Sequence, residues 1–204
     1  MTQADSADRR ALSDLADVAK SCTNCHLYEG ATQTVFGAGP ITAEMVLVGE
    51  QPGDEEDKQG EPFVGPAGKL LRSALEEVEI DPDGVYVTNV VKHFKWKSGS
   101  GRRRLHQKPN RYEIEACRPW LEGELHLLRP RLIVGLGATA SQAMLGSTIR
   151  VLTDRGKVFD WGDRKVLVTV HPSSILRSRD EESRRENRAA FVADLRQASH
   201  LVRA

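Results

Sequence analysis

The sequence predicts an α/β fold: a single three-layer domain with a central, mainly parallel four-stranded sheet flanked by helices. Two observations carry this. Four short β-branched runs recur along the chain, and helix-like stretches fill the gaps between them. That alternation belongs to a doubly wound sheet buried on both faces. Composition agrees, since the 204 residues are 39% hydrophobic and 28% charged, the balance of one soluble globular domain.

Taken in order, residues 1–10 (MTQADSADRR) read as a flexible tail, leaving 11–204 as the domain. Ser13 caps a short helix running towards Lys20, broken by Cys22-Thr-Asn-Cys25. Gly37-Ala-Gly39-Pro40 is a turn. The strand candidates are Met45–Val48, Val85–Val91, Leu132–Val134 and Val166–Val170, and the helical stretches run over roughly 66–79, 111–128, 138–145 and 181–200. No apolar run approaches a bilayer span, and the amino-terminal stretch has no apolar h-region. The expected setting is therefore the cytoplasm, away from membranes, with the three cysteines reduced.

In such sheets, ligands bind in the crevice beyond the carboxyl ends of the strands. The first strand ends in Gly49-Glu50-Gln51-Pro52-Gly53-Asp54 and the second passes Asn89. The third ends in Gly135-Leu-Gly137 and the fourth in His171-Pro172-Ser173-Ser174. These groups are distant in sequence but are expected to meet on one rim. A small-molecule phosphate or nucleotide enzyme is disfavoured, because no full GxGxxG is present.

The formal net charge is zero, which conceals a basic loop over 92–111. Lys92, Lys95, Lys97, Arg102, Arg103, Arg104, Lys108 and Arg111 fall there with no acidic residue between them. Interleaved Phe94 and Trp96 suit a phosphate backbone with base or sugar stacking. His106 sits among Arg103, Arg104 and Lys108, whose charges disfavour its protonated form and leave a neutral imidazole.

Cys22-Thr-Asn-Cys25 followed by His26 has the spelling of a c-type haem attachment, but the chain lacks an export signal and has the wrong fold class. A metal or iron–sulfur site remains, with Cys117 as third ligand and a histidine as fourth. His26, His93 and His126 are the candidates, and spacing alone does not separate zinc from a [4Fe-4S] cluster.

Taken together, Gly49–Asp54, Pro62-Phe63-Val64-Gly65-Pro66-Ala67-Gly68, Val87–Lys92, Gly135–Ala138 and His171–Ser174 resemble the uracil-DNA glycosylase superfamily. Within it they are most similar to the iron–sulfur, family 4-like branch. Gln51 stands where that branch carries alanine, and His93 where it carries a cluster cysteine. With the Arg-Arg-Arg-Leu-His loop, these departures resemble the UdgX type, which joins itself covalently to DNA.

The resemblance implies a monomer acting on uracil-containing DNA, with a [4Fe-4S] cluster held by Cys22, Cys25, His93 and Cys117. It implies catalytic roles for Glu50, His106 and His171, with His106 capturing the sugar. Gly49, Gln51, Asp54, Phe63 and Asn89 would bind the base, and Arg102, Arg103, Arg104, Lys108, Ser173 and Ser174 the DNA. Two alternatives stay open: a conventional multiple-turnover family 4-like glycosylase, and a catalytically silent iron–sulfur protein that binds damaged DNA.

Overall fold

A computed structural model describes residues 3–101 and 103–203; Arg102, one of the expected DNA contacts, lies outside the described residues. The central sheet comprises β1 (Met45–Gly49), β2 (Tyr86–Asn89), β5 (Leu132–Leu136), β6 (Val158–Trp161) and β7 (Arg164–Thr169). Its order is β2-β1-β5-β7-β6, parallel throughout except for β6, which runs antiparallel to β7. The α/β class and the four parallel strands are as the sequence predicts. The fifth strand is an addition. Its Val158-Phe-Asp-Trp161 sequence is only partly covered at the sheet edge, so it carries no continuous apolar run.

Along β1, successive side chains divide between the two faces of the sheet, as strand geometry requires. Val46 and Val48 pack with Leu121, Leu125 and Leu128 of α5 (Arg111–Leu128). Met45 and Leu47 pack instead with Leu71 and Leu75 of α4 (Pro66–Glu77) and with Phe191 and Leu195 of α9 (Glu181–Arg203). These two cores make the three layers. Each is filled by fully buried aliphatic groups, where truncation of one Leu to Ala costs about 2–5 kcal/mol.

The amino terminus departs from the expected tail, because α1 (Gln3–Ala19) is helical well before Ser13. Docking against α5 fixes this helix in place, since packing supplies most of a helix's stability. Leu12 packs on the α5 core, Leu15 sits against Gly123, and Asp8 pairs with Arg129.

The basic loop also has structure of its own. β3 (Trp96–Ser98) and β4 (Arg104–His106) form an antiparallel hairpin that places Trp96 opposite His106. The Gly99–Gly101 stretch makes the turn, with Gly101 at φ 68°. No helix among the described residues is long and apolar enough to cross a membrane.

Candidate active site

The carboxyl ends of β1, β2, β5 and β7 open into one cavity of about 970 Å³. Glu50, Gln51, Asp54, Phe63, Asn89, His106, Lys108, His171, Ser173 and Ser174 all line it. The rim expected from the strand ends therefore forms.

Gly49 lies beneath it. A Cβ at Gly49 would strike the Asn89 carboxamide and the Phe63 ring, so the bare backbone lets those two groups close over the strand end. The Asn89 side chain is 3% exposed and hydrogen-bonds to no described residue. Its amide opens on the cavity, where a ligand can both donate to it and accept from it. Phe63 holds φ 57° and stacks on His171 with ring centroids 6.1 Å apart.

The His171 ring is fixed by its own helix, α8 (Pro172–Leu176). Its Nδ1 accepts from the Ser173 backbone N–H at 3.2 Å, and the Ser173 hydroxyl lies 2.8 Å away. In the neutral ring, the proton must then sit on Nε2. Burial first, then Arg177 and His106, push its pKa down to about 4. His171 is thus a neutral N–H donor.

Glu50 accepts from the Thr139 hydroxyl on α6 (Ala138–Leu145) through Oε2, while His106 Nε2 lies 3.3 Å from Oε1. Burial is the main cause holding His106 below its ordinary pKa; Glu50 opposes this and Arg177 adds to it. A neutral imidazole was expected, but the expected cause was wrong. The Arg104 charge is directed at carboxylates, and the nearby cation that acts on His106 is Arg177.

Arg104 corrects a second expectation. Its guanidinium donates to Asp54 at 2.5 Å and to Asp57 at 2.6 Å, both on α3 (Asp54–Gln59). It also lies over the Phe94 and Trp96 rings. Phe94 is buried and the Trp96 indole N–H donates to Gly30 O at 2.7 Å, so these aromatics anchor the hairpin and are not stacking platforms for bases. Within the chain, Arg104 fastens the loop to α3. Arg103 is exposed outside the cavity lining, and Lys108 is exposed within it.

Gln51 is likewise engaged. Its amide donates to Lys95 O and Gln107 O, both at 3.1 Å, and accepts from the Lys95 N–H at 3.2 Å. It braces both limbs of the hairpin that carries His106 while lining the cavity. Asp54 is held below its usual carboxyl pKa by Lys58 and Arg104, which together outweigh the opposing effect of burial.

Three participants were missed by the sequence reading: Thr139, Asp57 and Arg177. Arg177 follows His171 within the same loop, but only the turn of α8 returns it to the cavity.

Behind the site lie the cysteines. Cys25 and Cys117 are buried, and Cys22 is half-buried. The Trp120 indole N–H points at Cys22 Sγ and the Lys92 N–H at Cys117 Sγ, each at 3.2 Å, and the Leu27 amide bonds Cys25. Burial raises both buried thiols, that of Cys117 to about 11, and the sulfurs are near enough to raise one another further. His93 is buried on the residue after Lys92, its Nε2 2.9 Å from the Thr34 hydroxyl. Grouped soft sulfurs with N–H donors aimed at them suit a thiolate-bound cluster. Among the described residues, no three acidic, Cys or His donors stand at metal-holding distances.

A family model described as the uracil DNA glycosylase superfamily matches residues 36–196. The chain belongs to the uracil-DNA glycosylase superfamily. It is 40% identical over 186 residues to a type-4 uracil-DNA glycosylase of Thermotoga maritima, covering 90% of this chain and 91% of that protein. It is 37% identical over 173 residues to the type-4 protein of Archaeoglobus fulgidus, covering 81% and 83%. A type-5 uracil-DNA glycosylase of Pyrobaculum aerophilum is 27% identical over 155 residues, covering 67% and 64%. Every cavity residue from Glu50 to Arg177 falls inside the superfamily span, while Cys22 and Cys25 precede it.

Proposed function

We propose that this superfamily member is a uracil-DNA glycosylase that hydrolyses the bond between uracil and deoxyribose. The observation that carries the reading is the buried, unpartnered Asn89 amide facing a neutral His171 donor across one cavity. The names of its type-4 relatives support the same reaction.

A uracil within a duplex is reached by flipping it out, at a cost of about a few kcal/mol. Asn89 Oδ1 accepts from N3–H while its NH₂ donates to O4. Cytosine presents the reverse pattern and leaves buried groups unpaired, at about 1–3 kcal/mol each. Phe63 covers the ring. As the glycosidic bond breaks, charge gathers on O2, where the His171 Nε2–H donates; one such preorganised donor is worth about 3 kcal/mol. The Glu50 carboxylate faces the cationic sugar. Water then supplies hydroxide to C1′ and a proton to the departing base. Cys22, Cys25, His93 and Cys117 would hold a [4Fe-4S] cluster, whose role would be structural, tying the amino-terminal segment to α5 and the root of the hairpin.

A finer reading is capture by His106. Its support is geometric: a neutral ring in the cavity, 3.3 Å from Glu50, on a braced hairpin. A ring nitrogen bonds C1′ as the C1′–N1 bond breaks. Uracil leaves as an anion and takes up a proton, and the alkylated ring sheds its N–H proton to solvent. The type-4 relatives fit the hydrolytic course at least as well. One experiment separates them: uracil-containing single-stranded DNA is mixed with the protein, and free uracil and SDS-resistant adduct are both measured. Many turnovers without adduct establish the hydrolytic enzyme, an adduct lost in His106→Ser establishes capture, and absence of uracil release overturns both.

A further inference from the structure

Among the described residues, Leu152 is the most exposed large apolar side chain, at 84%, and it lines the mouth of the same cavity. It belongs to α7 (Val151–Asp154), a single turn whose two leading residues part company. Val151 packs inward against the core shared by Leu136 and Val170, so the next side chain, about 100° further round, is turned outward. The turn is tightly tied. Asp154 Oδ2 accepts from the Arg150 N–H at 2.8 Å, the Thr153 hydroxyl donates to Arg150 O at 3.1 Å, and the Gly156 N–H reaches Val168 O at 2.8 Å.

Charge around it selects the occupant. Arg150, two residues earlier, and Arg177, on the same cavity, are exposed cations with no carboxylate partner among the described residues. Leu176, the other exposed leucine, also lines this mouth. An apolar group between unpaired cations suits a nucleic-acid strand, whose phosphates take the charges and whose bases offer an apolar face.

We infer that Leu152 is a substrate contact that packs against the nucleotide next to the flipped uracil, with Arg150 and Arg177 on the flanking phosphates. This rests on the glycosylase reading above. The test is single-turnover uracil release by the full chain, with protein in excess, as a function of protein concentration. Leu152→Ser is expected to raise the half-saturating concentration roughly three- to tenfold, with the maximal rate within about twofold, and Leu152→Met to restore it. Arg150→Gln is expected to lower the log–log salt slope by roughly 0.7. An unchanged half-saturating concentration in Leu152→Ser, with uracil still released, overturns this contact alone. A fall in maximal rate and in thermal midpoint together, without rescue by methionine, overturns it as well. No uracil release by the unaltered protein removes the reading on which it rests.

Discussion

The Arg104 guanidinium bonds the fully buried Asp57 carboxylate at 2.6 Å while Asp57 also accepts from the Thr32 N–H and hydroxyl. One ion pair thus joins the His106 hairpin, α3 and the segment after the cysteines. Replacing Arg104 by Gln leaves Asp57 with only its Thr32 donors. The expected loss is about 2 kcal/mol of stability, read as a lower denaturant midpoint at unchanged slope. Any adduct formed through His106 is expected to slow at least tenfold, because a loosened hairpin no longer presents the ring.

Gln51 supports the same hairpin from the other side. Gln51→Ala removes its three hydrogen bonds to Lys95 and Gln107. Hydrogen exchange over 95–108 is expected to quicken roughly tenfold or more while the central strands keep their protection. Unchanged exchange there assigns the bracing to Arg104 alone.

Asn89→Asp tests recognition. A carboxylate accepts from N3–H but offers nothing to O4, and it brings a charge into a buried site. Uracil release is expected to fall by about 10²-fold, with the fold retained by circular dichroism.

His171 predicts a pH dependence of stability. Its folded pKa, about 4, lies below the ordinary histidine value of 6.5. The unfolded chain therefore binds the proton more readily between those values. The stabilisation is present above about pH 6.5 and lost as the pH falls towards 4, amounting to roughly 3 kcal/mol. Urea unfolding at a series of pH values checks this, and His171→Gln is expected to flatten that part of the profile.

Cys117→Ser tests the cysteine site. Loss of bound iron and of visible absorbance, together with a lower thermal midpoint, is the expected result if the grouped sulfurs hold a cluster. Unchanged iron content leaves Cys117 as an ordinary core thiol.

The sequence by itself determined the four parallel strands and the rim. Runs such as Met45–Val48 are local signals, and the residue after a buried strand must emerge at its carboxyl end, so Glu50, Asn89 and His171 were legible without coordinates. The tertiary structure alone decided what each polar group is bonded to. Arg104 and Gln51 read as free ligand-binding groups in the sequence, yet their partners lie dozens of residues away. It also decided that Leu152 and Arg177 share a mouth with His106, and that the polar amino terminus is helical. Periodicity reports which side of an element faces the core, whereas hydrogen-bond partners are set by long-range packing that no local pattern encodes.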